Sequence, residues 1–311
     1  MKNALVVVSG NANKGLAEKV CEYLNLPLTH FEISRFPDGE VDVKILEDVR
    51  GADAFLIQPT CPPVNENLIE LLLLIDCLRR ASADRITAVV PYYGYARQDR
   101  KAEGRVPISA KLVANLITVA GASRAMSMDL HAAQIQGFFD IPMDHLYAAP
   151  VLIEHFKKLD LPDLTVVSAD VGGIKMARAY AKRLSAGLAI CDKRRSSPTE
   201  TEVMHLIGDV EGRNVLIVDD MISTGTSIAD ASRACKNHGA KNVYICATHP
   251  VFAGSAVDKL RRSPIKEVVV SDTIPLNGKE LPNLRVLSIS NLLGEAIRRI
   301  HKSESVSSLF R

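Results

Sequence analysis

The sequence has little excess charge of either sign. Its 38 Lys and Arg residues face 36 Asp and Glu residues, which leaves a formal net charge of +2. A chain that holds nucleic acid or an anionic membrane through a bulk basic field carries a much larger excess. We therefore expect neither nucleic acid nor a membrane among its partners. Because 47% of the residues are hydrophobic, intrinsic disorder is excluded as well.

Long hydrophobic runs are also missing. The longest apolar stretch, 68–78, is interrupted by Glu70 and Asp76. It therefore does not supply the roughly 20 apolar residues that a membrane-spanning helix needs. The N-terminal apolar run, 4–8, is too short for the core of a secretory signal. Both observations lead us to expect a cytoplasmic protein.

The cysteines lack the CxxC spacing that is typical of zinc and redox sites. The six residues are Cys21, Cys61, Cys77, Cys191, Cys235 and Cys246. Scattered cysteines of this kind are typically small buried apolar residues in a reducing compartment, so we expect neither disulfides nor a zinc site.

What the sequence does have is an internal repeat. The segment VVS at 7–9 and the segment VVS at 166–168 are both followed by a polar turn and an amphipathic helix, at an offset of 159. Further along, ILEDVRGADAFLIQ from Ile45 matches LIGDVEGRNVLIVD from Leu206 at an offset of 161. A shift of only two residues over half the chain indicates two copies of one unit.

Apolar runs alternate with segments of helical periodicity, which predicts parallel sheets covered by helices on both faces. The predicted strands are 4–8, 54–57, 86–90, 164–167, 215–218, 243–247 and 268–270, and the clearest helices are 67–81 and 227–238. We expect an α/β fold of two duplicated domains, 1–146 and 147–311, each with a mainly parallel sheet flanked by helices. Ligands of such sheets bind beyond the carboxyl ends of the strands.

The most informative of these strand ends follows the apolar run 215–218. Two adjacent carboxylates there are suited to accept hydrogen bonds from the vicinal hydroxyls of a sugar. A small hydroxyl-bearing loop follows, suited to wrap backbone N–H groups around a phosphate at a helix N-terminus. These residues are Asp219, Asp220, Ser223, Thr224, Gly225, Thr226 and Ser227. An ordinary helix cap explains the Ser and Thr residues alone, but not the acid pair before them.

This segment resembles the phosphoribosyl-binding motif of phosphoribosyltransferases and of ribose-phosphate pyrophosphokinases. At the matching place in the first half, Gln58 and Pro59 replace the acid pair. The resemblance therefore implies two phosphoribosyltransferase-like domains, of which only the second binds ribose 5-phosphate.

Further segments separate the two families. They are RFPDGE at 35–40, PYYGYARQDRK at 91–101, DLHAAQIQGFF at 129–139, DVGG at 170–173 and DKRR at 192–195. In this order, and across essentially the whole chain, they resemble the ribose-phosphate pyrophosphokinase family. A phosphoribosyltransferase needs only one half and lacks most of these segments.

The resemblance implies a reaction that serves nucleotide biosynthesis. ATP would donate its β,γ-diphosphoryl group to the 1-hydroxyl of ribose 5-phosphate, giving 5-phosphoribosyl 1-diphosphate and AMP. It also implies Mg²⁺ as cofactor, inorganic phosphate as an activator and a homo-oligomer, with a hexamer as the expected assembly.

Individual roles come from the same resemblance. The ATP side, including a loop that reaches ATP held by a neighbouring subunit, comprises Phe36, Asp38, Gly39, Glu40, Arg97, Gln98, Asp99 and Lys101. The implied magnesium ligands are His131 and Asp170, and the implied catalytic cations are Lys193 and Arg195. Oxygen ligands such as a carboxylate suit magnesium, and cations stabilise charge on transferred phosphoryl oxygens. Without the resemblance, a simple PDG turn explains the loop at 36–40 equally well.

The phosphate-binding loop departs from the family's commonest bacterial pattern. Ser223 stands where Asp is usual, and Thr226-Ser227 stands where Gly-Thr is usual. Ser227 supplies the same hydroxyl, whereas Thr226 is unfavourable if its position requires a positive φ. We expect binding to persist with altered affinity. Three other functions stay open: a regulatory paralogue without catalysis, a phosphoribosyltransferase acting on a base, and a nucleotide sensor without turnover.

Overall fold

The computed structural model describes residues 3–194 and 203–310, which pack into two units. The first unit comprises the described parts of Met1–Tyr147, Thr273–Pro275 and Ser288–Arg311, and the second comprises those of Ala148–Asp272 and Leu276–Leu287. This packing differs from a division into the contiguous stretches 1–146 and 147–311, because the C-terminal segment joins the first unit.

Strands and helices alternate along the described residues. The strands are β1 (Leu5–Ser9), β2 (Phe31–Arg35), β3 (Val41–Ile45), β4 (Asp53–Ile57), β5 (Arg85–Val90), β6 (Arg124–Met128), β7 (Met143–Leu146), β8 (Leu164–Ser168), β9 (Gly187–Arg194), β10 (Val203–Ile207), β11 (Asn214–Ile222), β12 (Asn242–Pro250), β13 (Glu267–Ser271) and β14 (Leu284–Leu287). The α-helices are α1 (Lys14–Leu24), α2 (Val64–Arg80), α3 (Ser109–Ala120), α4 (Ala149–Leu159), α5 (Ile174–Leu184), α6 (Thr226–Asn237), α7 (Ala256–Arg261) and α8 (Ser290–His301).

The first unit is built on a parallel five-stranded sheet in the order β1-β4-β5-β6-β7. All five residues of β4 are buried, which explains why this strand is an unbroken apolar run and not an alternating one. The antiparallel hairpin β2–β3 forms a separate two-stranded sheet. Its inward side chains Ile33, Val43 and Ile45 pack against the core of this unit.

The C-terminal helix α8 packs on α1 of the first unit, which explains why the chain returns there. Gly294 allows close contact, since a Cβ at that position would lie 2.5 Å from the Tyr23 ring. The Tyr23 hydroxyl donates to Glu295 Oε2 at 2.8 Å, and His301 Nδ1 lies 2.8 Å from Oδ2 of the buried Asp53. The helix is thus attached both to its neighbouring helix and to the sheet.

The second unit is built on a seven-stranded sheet in the order β10-β9-β8-β11-β12-β13-β14. Only the β9–β10 pair in it is antiparallel among the strands that the structure describes. The strands β11, β12 and β13 are almost entirely buried, because helices cover both faces of a parallel sheet.

Strand register confirms the internal repeat. In the first unit Leu5 of β1 lies opposite Asp53 of β4, and in the second Leu164 of β8 lies opposite Asn214 of β11. The two pairs differ by 159 and 161 residues, the same offsets that the repeated sequence segments show. The predicted α/β class with two duplicated, mainly parallel units is therefore confirmed.

The turns before β4 and β11 repeat as well. The side chains of Asp48 and Asp209 each accept a hydrogen bond from the backbone N–H two residues on, at 3.0 Å and 3.2 Å. Gly51 and Gly212 follow with the same φ of 69°, a left-handed conformation that favours glycine. Matching residues thus make matching turns in both copies.

Among the element boundaries that differ from the prediction, two bear on the candidate site and on the domain division. The strand predicted at 215–218 continues to Ile222, because its ladder with β12 extends to Met221 opposite His249 and beyond. Asp219 and Asp220 therefore lie within β11 and not after its end. The stretch around 142–150, interpreted as a break between domains, contains the edge strand β7 and the start of α4.

None of the six cysteines, all of which the structure describes, forms a disulfide bond; five are buried and Cys77 is partly exposed. Their predicted role as small buried residues is confirmed. Across 3–194 and 203–310, no helix is long and apolar enough to span a bilayer.

Candidate active site

The acid pair lies near the carboxyl end of β11. Asp219 is opposite Ala247 of β12, and its Oδ1 accepts a hydrogen bond from the N–H of Asp220 at 2.9 Å. Burial, and then the neighbouring carboxylates of Asp220 and Asp170, raise the pKa of Asp219 from its ordinary 3.8 to about 8. The site therefore resists another negative charge and favours a hydroxyl donor or a cation.

The hydroxyl-rich loop 223–227 leads from β11 into α6. Gly225 has a φ of 72°, the left-handed region. Thr226 is the first residue of α6 and does not have a positive φ. The steric objection to Thr226 therefore does not apply, because glycine occupies the position that needs the unusual backbone. The hydroxyl oxygens of Thr224 and Thr226 are 3.3 Å apart, on exposed residues at the helix N-terminus.

The segment after β12 forms backbone hydrogen bonds to the start of this loop. The N–H groups of Phe252 and Ala253 donate to the carbonyl oxygens of Ile222 and Ser223, both at 2.9 Å. A Cβ on the glycine of the loop would lie 3.4 Å from Ala256 at the start of α7. The loop is therefore fixed by its neighbours and not only by its own turn.

Lys259 of α7 is a contact that sequence reasoning missed. Its Nζ donates to Thr226 Oγ1 at 2.7 Å, across a separation of 33 residues. Nothing in the sequence around Lys259 indicates this, because the pairing depends on how α7 packs against the loop.

The third element of the second unit is the turn after β8. Asp170 is exposed, and its Oδ1 accepts the N–H of Gly173 at 2.9 Å. The hydroxyl of Ser168 donates to the carbonyl of Asp170 at 2.6 Å, and a Cβ on Gly173 would lie 2.7 Å from that hydroxyl oxygen. The glycine thus allows a tight turn that brings the Asp170 carboxylate close enough to raise the pKa of Asp219.

In the first unit, the side chains of Gln58 and Glu70 occupy the turn after β1. Gln58, at the position of the acid pair, is fully buried, and its Oε1 accepts the N–H of Ala12 at 3.0 Å. Glu70 of α2 is also buried, and its Oε1 accepts the N–H of Asn11 at 2.6 Å and Nε2 of Gln58 at 2.9 Å. A Cβ at Gly10 would lie 2.3 Å from the Gln58 carbonyl oxygen. We call this arrangement the carboxylate-filled loop.

Turns of this kind are where backbone N–H groups bind anions. In the carboxylate-filled loop, those N–H groups donate to the side chains of Glu70 and Gln58. At the repeat offset of 161, the residue of α6 that matches Glu70 is Ala231, which has no carboxylate. The absence of an acid pair in the first half, noted in the sequence, therefore accompanies a loop that is occupied from within.

The predicted ATP segment, 91–101, follows β5. Its backbone is anchored, since the N–H of Gly94 donates to Thr60 Oγ1 at 2.7 Å and the carbonyl of Gln98 accepts the N–H of Ala110 at 3.2 Å. Arg97 and Gln98 are exposed on this fixed segment. The neighbouring Lys101 is exposed too.

Asp99 connects the ATP segment to the loop after β6. Gln134 Nε2 donates to Asp99 Oδ2 at 2.6 Å. The exposed His131 lies in this loop, shortly after the buried Asp129, which has a φ of 37°. The structure therefore brings the segments that carry Arg97 and His131 to the same edge of the first sheet.

The hairpin tip between β2 and β3 forms the PDG turn. The N–H of Phe36 donates to the carbonyl of Glu40 at 2.8 Å, and Gly39 has a φ of 97°. The side chains of Phe36, Asp38 and Glu40 are exposed, Phe36 by 51%. An exposed aromatic ring beside two carboxylates fits the predicted contact with a purine base.

The predicted catalytic pair is described only in part. Lys193 lies in β9, opposite Met204 of β10. Arg195 lies outside the described residues.

Within the described residues, no group of three or more His, Cys, Asp or Glu side chains is arranged to hold a metal ion. The predicted ligands His131 and Asp170 belong to different units.

A duplicated α/β fold, with an acid pair and a hydroxyl-rich loop at the strand ends of one copy, defines a protein of the phosphoribosyl-binding class. A family model described as the N-terminal domain of ribose phosphate pyrophosphokinase matches residues 5–121. A second, described as the phosphoribosyl synthetase-associated domain, matches residues 194–311.

Full-length relatives agree. The chain is 57% identical to a ribose-phosphate pyrophosphokinase of Rhodopirellula baltica, covering 99% of this chain and 98% of the relative. It is 56% identical to one of Thermotoga maritima, with 99% of each chain covered. The crystal structure of a phosphoribosylpyrophosphate synthetase from Mycobacterium smegmatis is similar with a TM-score of 0.92 at 42% identity, covering 96% of this chain and 99% of that one. The chain belongs to the ribose-phosphate pyrophosphokinase family and is an enzyme of that kind.

Proposed function

We propose that this enzyme transfers the β,γ-diphosphoryl group of Mg-ATP to the 1-hydroxyl of ribose 5-phosphate, giving 5-phosphoribosyl 1-diphosphate and AMP. The asymmetry between the two copies carries the proposal. The second unit has an acid pair and exposed hydroxyls at the end of β11 and after it, whereas the first has Gln58 in place of the acid pair and fills its turn after β1 with Gln58 and Glu70. One copy is thus suited to a phosphorylated sugar, and the other is left for the nucleotide.

The sugar site is assigned to the second unit. Asp219 and Asp220 would accept hydrogen bonds from the ring hydroxyls of ribose. A hydroxyl group suits this place because it brings no negative charge to a carboxylate whose pKa is already raised. The loop 223–227 would hold the 5-phosphate with its N–H groups, its hydroxyls and the positive end of α6.

The nucleotide site is assigned to the first unit. Arg97 offers a planar fork of donors for phosphate oxygens, and Gln98 offers both a donor and an acceptor. Both are exposed on a segment whose backbone is anchored, so little order has to be gained on binding. Phe36 would stack on the adenine ring, and Asp38 and Glu40 would accept from its amino group.

Asp170 and His131 are each proposed as a ligand of magnesium. The donor chemistry of the second unit fits a cation, because the carboxylates of Asp170 and Asp220 lie close enough to Asp219 to raise its pKa. Magnesium usually takes only one or two protein ligands and completes its shell with water and phosphate oxygens, so it does not require a larger cluster. When bound, the ion would neutralise charge on the diphosphoryl group.

The chemical step needs a nucleophile in line with the β-phosphorus and cations for the developing charge. The 1-hydroxyl of ribose would attack that phosphorus while AMP leaves. Lys193 and Arg195 are proposed to stabilise the charge on the transferred oxygens, a purely electrostatic contribution that is large in phosphoryl transfer.

Incubation with Mg-ATP and ribose 5-phosphate tests the proposal. We expect AMP and 5-phosphoribosyl 1-diphosphate in equal amounts, measured by chromatography. Nucleotide binding without AMP, with or without added inorganic phosphate, would identify a sensor or a regulatory paralogue instead. Consumption of 5-phosphoribosyl 1-diphosphate with a free base would identify a phosphoribosyltransferase.

We further propose a homo-oligomer, with a hexamer as the specific expectation, activated by inorganic phosphate and working in the cytoplasm. Exposed apolar side chains on α3 support self-association, because Leu112 is 58% and Val119 is 76% exposed. Light scattering of the purified protein measures the subunit number, and activity across phosphate concentrations measures the activation.

A further inference from the structure

Lys259 occupies an unusual position for a cation. Its ammonium group lies 2.7 Å from the hydroxyl of Thr226, the first residue of α6. The N-terminus of a helix carries partial positive charge, so a lysine there is electrostatically unfavourable unless an anion binds nearby. The arrangement is therefore suited to a negatively charged ligand.

No carboxylate in the part of the chain that the structure describes supplies that anion. Among the residues that the structure describes, Lys259 forms no ion pair. The nearby acids already have partners: Asp258 pairs with Arg261 at 3.1 Å, and Asp230 pairs with Arg233 at 2.5 Å. The charge of Lys259 thus remains available at the mouth of the phosphate-binding loop.

The direction of the hydrogen bonds follows from the chemistry of the groups. An ammonium group can only donate, so the oxygen of Thr226 accepts from Lys259. The hydrogen of the Thr226 hydroxyl must then point elsewhere. Its neighbours are Thr224 Oγ1 at 3.3 Å and the exposed space in front of the loop.

We propose that Lys259 is a specificity-determining residue for the 5-phosphate of the sugar substrate. It adds a positive charge beside the loop, and it fixes Thr226 as a hydrogen-bond donor toward a phosphate oxygen. The inference rests on the proposed function and deepens it, because it selects a phosphorylated sugar over the uncharged one. The anchored backbone behind the loop holds α7, and with it Lys259, in place.

The substitutions Lys259→Gln and Lys259→Arg test this, with Arg261→Gln as the matched control that also removes one cation from α7. We expect Lys259→Gln to raise the KM for ribose 5-phosphate about 10-fold to 100-fold, the effect of losing a hydrogen bond to a charged group. The kcat and the KM for ATP should change little. Lys259→Arg should restore most of the affinity, and Arg261→Gln should match the wild type.

Calorimetric titration with ribose 5-phosphate in the absence of ATP gives a second readout. The wild type should bind the phosphorylated sugar far more tightly than ribose, and Lys259→Gln should lose most of that difference. The double variant Thr226→Ala/Lys259→Gln should lose less than the sum of the two single variants, because both belong to one hydrogen-bonded chain.

The outcomes separate the two proposals. An active wild type whose KM for ribose 5-phosphate is unchanged in Lys259→Gln overturns the role of Lys259 alone. Equal losses in Lys259→Gln and Arg261→Gln also overturn it, since they indicate a general effect of charge. A wild type that forms no AMP overturns the proposed function, and the calorimetric comparison of ribose 5-phosphate with ribose still tests the phosphate site.

Discussion

Replacing Asp219 with Asn should stabilise the ligand-free protein at alkaline pH. In the folded state burial and the carboxylates of Asp220 and Asp170 raise the pKa of Asp219 from 3.8 to about 8. The folded protein therefore holds this proton more tightly than the unfolded chain does. Stability from the protonated carboxyl is complete below the unfolded pKa and is lost as the pH rises toward about 8.

The size of the stability change follows from the pH range in which Asp219 is protonated in the folded protein but ionised in the unfolded chain. Each pKa unit corresponds to about 1.4 kcal/mol, so moving from about pH 5 to about pH 8 should cost the wild type about 3–4 kcal/mol more than the Asn variant. At about 2–4 °C per kcal/mol, the difference in Tm should widen by about 10 °C. Asn keeps the oxygen that accepts from the N–H of Asp220, so the local hydrogen bond persists.

Thermal and urea unfolding at both pH values measure the effect in magnesium-free buffer. Glu211→Gln, which removes one exposed carboxylate from the same unit, controls for net charge. A constant stability difference between wild type and Asp219→Asn at both pH values would refute the reasoning.

The Asp219→Asn variant should also bind ribose 5-phosphate more weakly than the wild type. A loss confined to ATP binding would show that the sugar and nucleotide sites are assigned to the wrong units.

Three further variants test other parts of the structure. Lys193→Ala should lower kcat by about 10³-fold or more with nearly unchanged ATP affinity; an equal loss of ATP binding in calorimetry would make it a ground-state ligand. Gly10→Ala places a methyl group 2.7 Å from Glu70 Oε1 and should cost about 1–3 kcal/mol; an unchanged urea midpoint contradicts the tight packing. His301→Ala deprives Asp53, which is 1% exposed, of a partner and should cost about 1–3 kcal/mol in urea unfolding, whereas no loss would show that Asp53 does not depend on α8.

The repeat made most of the fold predictable from the sequence. Apolar runs fixed the buried strands β4, β5 and β8, whose ends the structure places within one residue of the prediction. The length of β11 was not predictable, because Met221 and Ile222 are held in the strand by a ladder to the equally long β12. The packing of the C-terminal helix on the first unit was not predictable for a related reason, since its contact with Tyr23 depends on packing over a long sequence separation.

The candidate site likewise contains residues that the sequence predicts and contacts that it does not predict. Local motifs such as Asp219-Asp220 and the loop 223–227 carry their chemistry in consecutive residues, so the sequence was sufficient to single them out. Lys259 is 33 residues from the threonine that it contacts, and Glu70 carries no sign that it reaches the turn after β1. Contacts of this kind depend on tertiary packing and become visible only in the structure.

The carboxylate-filled loop also bears on how the enzyme responds to metabolite levels. Because the Glu70 carboxylate is tethered to the turn that it fills, its effective concentration there is constant, at millimolar or above by the usual scale for tethered groups. A free diphosphate would have to compete with an occupant that dilution never removes. The turn after β1 is thus insensitive to changes in free diphosphate. On the proposed function, the phosphorylated sugar would bind in the second copy, whose matching side chains do not include this carboxylate.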